Sequence, residues 1–501
     1  MYDLIIKNGK IIDGTGSPYY RSDIAVKDGK IARIGRELGE TSRVIDAAGL
    51  VVTPGFIDSH SHADTALLTH PELIEKAEQG ITTSVAGQCG SSVAPNQDGY
   101  TTMGALLEDK KDLALGSNVV MLVGHSSLRK MAMGRENRAP TEAELETMKA
   151  LLRDALEHGA AGMSFGLYYS PGNYAQLPEL IALAKVVAEY HGVIAAHIRD
   201  EGDRVVESVE EFITVLREAG VRGVISHHKS SQPKNWGKTA KTLALIDAAN
   251  EEGIDVYCDV YPYPASGTSL VAFLVPTQYR AYPDKEIIAL LENKEKREEI
   301  CAITRKIFGD DLHAVMITSC TACPQYEGKR ISEIAEEQGK SHYDAAMDVL
   351  IETELTCSAA FFSMSEEDIE RVMAHPRAML CTDSGVARHL TTYHPRLRGA
   401  FPRVLGRYVR ERKVTTLPEM IRKMTAMPAA VYELKNKGLL VEGFDADICI
   451  FDEDTIIDRA DFVDCTKRAE GLSYVILNGQ IVAENAVYTG AKPGGFLLRN
   501  R

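Results

Sequence analysis

Six side chains able to bind a metal stand at matching places in this sequence: His60, His62, Cys89, His197, His227 and Asp383. His60-Ser61-His62 leaves the apolar run Pro54-Gly55-Phe56-Ile57-Asp58, and the period-two alternation of a strand turns both imidazoles to one side. Cys89 ends a run in Ala86-Gly87-Gln88-Cys89-Gly90, where glycines on either side let a ligand approach the backbone. His197 closes Ala195-Ala196-His197, and His227 closes Val224-Ile225-Ser226-His227. Asp383 closes Leu380-Cys381-Thr382-Asp383, and a carboxylate after an apolar run needs a partner to offset its desolvation. Taken singly, the histidines are ambiguous and Cys89 reads more readily as a buried structural cysteine. Six in the same relative position on five apolar runs point to a metal centre. Imidazoles with one thiolate suit zinc better than magnesium or calcium, which prefer oxygen ligands. Asp58 is expected to orient the cluster from behind.

Eight strand candidates are needed to carry this pattern, and the sequence has them at 54–60, 81–89, 119–125, 162–167, 192–199, 222–229, 255–263 and 378–383. Helical stretches alternate with them, such as 141–158 with Thr141 as its cap and Glu144 three residues on. The expected fold is therefore α/β, a (β/α)₈ barrel, whose active sites sit at the carboxyl ends of the strands. The interval 264–377 is too long for one connecting helix and holds two further apolar runs, 313–318 and 359–363. It reads as an inserted subdomain at about 265–355, although either run is also an eligible barrel strand.

The first fifty residues carry two hairpin signals, Lys7-Asn8-Gly9-Lys10 and Lys27-Asp28-Gly29-Lys30, among alternating β-formers. The same texture returns in Ala446 to Phe451 and Tyr474 to Val482. Both termini are thus expected to build one small β-sandwich domain, with 1–53 and 433–501 flanking a barrel at 54–432. With 45% hydrophobic and 25% charged residues, the 501-residue chain is globular in composition. A net charge of -15 would repel nucleic acid, and no run is apolar enough for a membrane span or a signal peptide, so a cytoplasmic location is expected. Nine scattered cysteines read as free thiols rather than a disulfide framework.

Seven segments together resemble the D-aminoacylase, or N-acyl-D-amino-acid deacylase, family of the amidohydrolase superfamily: Pro54 to His62, Gly87-Gln88-Cys89-Gly90, Gly162 to Leu167, His197-Ile198-Arg199-Asp200-Glu201, Ser226-His227-His228-Lys229, Tyr261-Pro262-Tyr263 and His394 to Arg403. The resemblance implies a tightly bound zinc on Cys89, His197 and His227, with His60, His62 and Asp383 forming an adjacent, often weakly occupied position. It further implies that Lys229, Tyr261 and Arg396 bind the α-carboxylate of a small-molecule N-acyl amino acid. A cationic pair in a dry pocket calls for an anion to complete it. One departure stands out, since the serine usual six residues after the matching tyrosine is Gly267 here.

The function implied is hydrolysis of N-acyl-D-amino acids. Zinc would acidify a water, and Asp383 would take its proton as general base and return it to the leaving amine. Two alternatives are a cyclic amide hydrolase of the hydantoinase or dihydroorotase kind, and a non-catalytic binding protein on the same scaffold. Three further motifs are read as bystanders. Cys320-Thr321-Ala322-Cys323 lacks a second cysteine pair, His228 should face away from its neighbour His227, and His125 is expected in the core or at the rim.

Overall fold

In a computed structural model that describes residues 1–386 and 394–499, the eight expected strands are all present and all parallel. They are β1 (Phe56–Asp58), β2 (Ile81–Ala86), β3 (Asn118–Gly124), β4 (Gly162–Gly166), β5 (Val193–His197), β6 (Arg222–Ile225), β7 (Val256–Val260) and β8 (Ala378–Leu380). Consecutive strands pair from β1 to β8 in chain order. The ring closes just beyond the strand ends, where Asp383 N donates to His60 O at 2.9 Å and His62 N to Ser384 O at 3.0 Å. That closure sets the segments carrying His60, His62 and Asp383 side by side.

Strand alternation fills the barrel. Val85, Val120, Leu122, Val193, Ala195, Val224 and Met379 form one cluster, while their neighbours Ala86, Val119, Met121, Val123, Ile194, Ala196 and Ile225 belong to the core shared with the helices. The expected helix after β3 runs Glu142–Glu157, and Thr141 and Glu144 make the reciprocal capping box.

Between β7 and β8 lies a three-stranded antiparallel sheet of Ala265–Ser269, Ser358–Phe362 and Val315–Ser319, in that order. Both extra apolar runs are therefore strands of this sheet and neither enters the barrel. The sheet has its own buried cluster, including Leu270, Leu274, Val315, Ile317, Ile331 and Leu350.

The two chain ends meet in one mixed nine-stranded sheet, in which Val51–Pro54 pairs with Ile448–Phe451. Ile6, Ile24, Val26, Val52, Ile448 and Ile476 share its core. Asp28 and Gly29, at φ 51° and 75°, make the expected hairpin turn between Tyr20–Lys27 and Lys30–Gly35. Asn8-Gly9 does not turn the chain. Leu4–Ile11 runs straight through it as a single strand, with a bulge between Ile6 and Gly9. Asn8 takes the left-handed conformation at φ 63°, and its side chain donates to Asp46 Oδ1 at 2.9 Å. A Cβ at Gly9 would come within 2.5 Å of Val52, so the glycine serves close packing there.

Candidate metal centre

All six candidate ligands converge at the carboxyl end of the barrel. His60, His62, Cys89 and Asp383 place one ligand atom each within 4.8 Å of one another, and Cys89, His197 and His227 do the same. Cys89 Sγ is the shared atom, at 3.4 Å from His60 Nε2, 3.7 Å from His197 Nδ1 and 3.3 Å from His227 Nε2. Asp383 Oδ1 lies 3.5 Å from His60 Nε2 and 3.2 Å from His62 Nε2. All but His62 are buried.

Three of these residues hold a backbone conformation that side-chain-bearing residues seldom adopt: Cys89 at φ 53°, His227 at 39° and Asp383 at 49°. Such strain persists where the surroundings over-determine it, and it clusters at functional sites. Here it turns each side chain inward directly after its strand ends.

Burial dominates the protonation of the cluster. It pushes the Cys89 thiol well up, holds the His60 imidazole well below its ordinary range and lowers His197 to about 3. Both imidazoles are therefore neutral, with lone pairs free to coordinate. Burial works against the Asp383 carboxylate, but Arg396, His227 and His62 outweigh it and hold the group well below the usual carboxylate range. His60 Nδ1 and His197 Nε2 are buried without a hydrogen-bond partner. Their opposite ring nitrogens, His60 Nε2 and His197 Nδ1, face Cys89 Sγ together with His227 Nε2, and this set of imidazoles with one thiol and one carboxylate fits a divalent, thiolate-tolerant metal such as zinc.

The amidohydrolase family model matches residues 43–483. The chain belongs to the amidohydrolase family. It is 38% identical to the N-acyl-D-glutamate deacylase of Alcaligenes xylosoxydans xylosoxydans, over 99% of this chain and 97% of that one. To the D-aminoacylase of the same organism it is 34% identical, over 99% and 98%. A crystal structure of N-acyl-D-glutamate deacylase from Bordetella bronchiseptica superposes with a TM-score of 0.85 at 37% identity, covering 100% of both chains. That structure is a complex with zinc and a phosphonate inhibitor, a mimic of the reaction's tetrahedral intermediate.

In this amidohydrolase the three residues expected to take a substrate carboxylate line the same cavity as the cluster. Lys229 Nζ and Arg396 lie over the Tyr261 ring, at 5.5 Å and 5.3 Å from its centroid. Neither cation is unpaired, contrary to the expectation of a pair awaiting an anion. Lys229 Nζ donates to Glu201 Oε1 at 2.6 Å, and Arg396 Nη1 donates to Asp383 Oδ2 at 2.6 Å. The Tyr261 hydroxyl lies 3.3 Å from Met364 Sδ, and its ring is the surface the two cations share. At Gly267, Arg396 Nη2 donates to the backbone oxygen at 3.1 Å, and an added Cβ would meet the guanidinium at 3.2 Å.

Two carboxylates that strand position alone does not assign complete the cluster. Glu201 Oε1 lies 3.0 Å from His227 Nδ1, and Glu201 Oε2 lies 3.6 Å from His197 Nε2. Buried Asp259 accepts from His227 N at 2.5 Å, with its Oδ1 3.9 Å from His60 Nδ1. Carboxylates behind ligating imidazoles set tautomer and ring orientation. Burial raises Asp259 to about 6. Strand alternation held a partial signal for Asp259, which shares the face of Tyr261. Asp58 does not touch the cluster. It accepts from Lys76 Nζ at 2.9 Å and from Thr382 N at 2.8 Å, bracing the segment that carries Asp383.

The bystanders lie elsewhere. His228 bonds Thr242 Oγ1 at 2.7 Å on the helix side of the barrel, and His125 bonds Glu179 Oε1 at 2.8 Å in the core. Cys320 and Cys323 lie at the three-stranded sheet between β7 and β8, and neither is joined in a disulfide.

Proposed function

We propose that this chain hydrolyses the amide bond of N-acyl-D-amino acids, releasing a carboxylate and a free D-amino acid. The observation that carries the reading is the convergence of six donors in two groups that share Cys89 Sγ. Cys89, His197 and His227 would hold one zinc tightly, with His60, His62 and Asp383 around a second, weaker position. When bound, zinc supplies acidification of a water and polarisation of the amide carbonyl. The relatives' deacylase activities support the linear amide and the D configuration, and the zinc in the Bordetella structure supports the metal.

Asp383 is ionised across the working range and within reach of the centre, so it would accept the water's proton and deliver it to the leaving nitrogen. Lys229 and Arg396 would receive the substrate's α-carboxylate by sharing their charge between it and the resident Glu201 and Asp383. Glu201 would keep His227 and Lys229 in register with each other.

The test is a parallel assay of N-acetyl-D-amino acids, their L enantiomers and a hydantoin, with zinc content measured on the same protein. Turnover of the D compounds with about one zinc or more per chain is expected. Hydantoin cleavage without N-acyl-D-amino acid cleavage would replace the linear amide by a cyclic one. Stoichiometric zinc with no turnover of either would favour a binding role.

A further inference from the structure

Three of the nine cysteines meet in the subdomain inserted between β7 and β8, outside the lining of the cavity over the metal centre: Cys320, Cys323 and Cys357. The antiparallel register of Val315–Ser319 with Ser358–Phe362 ends on Ser319 opposite Ser358, so one step further sets Cys320 opposite Cys357. The two residues exchange no backbone hydrogen bond. Cys320 N donates to Glu327 Oε1 at 2.7 Å, and Cys357 O accepts from Leu270 N at 2.9 Å. Facing residues of that kind bring their Cα atoms to roughly 4.5 Å, inside the span of roughly 4.4–6.8 Å that a disulfide bridges. Cys323 N donates to Cys320 O at 3.2 Å, closing a tight turn that folds Cys323 back beside Cys320. Cys320 therefore stands between two partner thiols, one across the strand pair and one across the turn.

Exposure divides the three. Cys320 and Cys357 are 1% and 0% exposed and belong to the core of the subdomain, whereas Cys323 packs at its edge and is partly exposed. Burial raises the Cys320 thiol and pushes Cys357 up to about 12, so at neutral pH both stay protonated and inert towards solutes. Among the described residues the metal-competent groups that converge closely are the two at the barrel mouth, and these thiols are not among them. Three adjacent thiols without a metal cage, one of them exposed, suit thiol–disulfide chemistry.

We infer that the three cysteines form a reversible oxidation site, in which Cys323 reacts with a hydroperoxide and the oxidation passes inward to a Cys320–Cys357 disulfide. The O–O bond of the hydroperoxide breaks as the Cys323 sulfur takes one oxygen, giving a sulfenic acid and an alcohol, or water where the oxidant is hydrogen peroxide. The Cys320 sulfur then attacks that of Cys323. The S–O bond breaks, water leaves with the Cys320 proton, and a Cys320–Cys323 disulfide forms. Attack by Cys357 on Cys320 breaks this bond, and Cys323 departs as a thiol with the proton that Cys357 gives up. The exposed sulfur is the better leaving group, since water supports its thiolate. The final bond closes the chain around the helices Ile331–Gln338 and His342–Glu352 and uses none of the residues assigned to zinc or substrate.

The experiment exposes the zinc-loaded enzyme to hydrogen peroxide, alkylates the remaining thiols and maps the peptides by mass spectrometry, with melting temperature and zinc content measured alongside. A peptide linking Cys320 to Cys357 is expected, and dithiothreitol should reverse it. Cys323→Ser, at a partly exposed position, should lose the linkage at the same peroxide dose, and Cys357→Ser should stop at Cys320–Cys323. Because a disulfide constrains the unfolded chain, the oxidised wild type should melt above the reduced one, a shift that should vanish in Cys357→Ser. Recovery of all three thiols alkylated, or of Cys323 as a sulfinic acid with Cys320 and Cys357 still free, would overturn the inference. Full linkage in Cys323→Ser would remove Cys323 as the point of entry, and equal melting temperatures would remove the staple. Zinc lost on Cys323→Ser would replace the oxidation site by a metal site.

Discussion

Arg396 Nη1 donates to Asp383 Oδ2 at 2.6 Å, so the side chain expected to bind substrate and the one expected to move the proton form one buried ion pair. The pairing explains how a carboxylate surrounded by apolar strands stays ionised. It also ties substrate binding to proton transfer, because an arriving α-carboxylate competes with Asp383 for the same guanidinium.

An N-acetyl-D-amino acid should accordingly be cleaved at least ~100-fold better in kcat/KM than its C-terminal amide. Arg396→Met should erase most of that difference and, since Asp383 loses its partner, lower kcat for both substrates. Steady-state kinetics on the acid and the amide with both proteins decide the point. A variant in which only KM for the acid changed would show the ion pair to be irrelevant to turnover.

Cys89→Ala should lose most bound zinc while keeping the fold, because Cys89 lies above the apolar barrel filling rather than within it. Metal analysis after dialysis and far-ultraviolet circular dichroism measure the two properties separately. Full zinc and full activity in the variant would remove the thiol from the centre.

Asp383→Asn keeps the shape and removes the proton acceptor. We expect kcat to fall at least ~100-fold, the low end for general acid-base catalysis, with a smaller effect on KM. An unchanged kcat with a raised KM would make Asp383 a binding group only.

A stability prediction concerns Lys423, remote from the centre, whose buried Nζ donates to Met373 O and His375 O at 2.6 Å each. Burial lowers its pKa from 10.5 to about 8 in the folded protein. The folded state therefore sheds this proton first, and between about pH 8 and 10.5 the unfolded chain binds more protons than the folded one. Stability from this group rises with pH through that window, by at most about 1.4 kcal/mol per pH unit. Relative to Lys423→Met, the wild type should gain in melting temperature as pH rises from about 7.5 to about 9.5, a range that brackets the folded-state value. A constant difference over that range would contradict the assignment.

By itself the sequence determined the barrel and the identity of the converging side chains. Strand alternation and chain order are local properties, and a donor placed just after each apolar run must reach the same rim once the strands close into a ring. The capping box at Thr141 and the Asp28-Gly29 turn were legible for the same reason, since both depend on residues a few positions apart. Tertiary structure alone decided what lies between distant segments. It made Asn8-Gly9 a bulge rather than a turn, because Val52 packs against the glycine and Asp46 holds the asparagine. It sent the runs near 315 and 360 into a separate sheet. It gave Arg396 and Lys229 their carboxylates and removed Asp58 from the cluster to brace Thr382. Ion pairing is set by distances of a few ångströms between residues tens to hundreds of positions apart, which periodicity and local propensity do not encode.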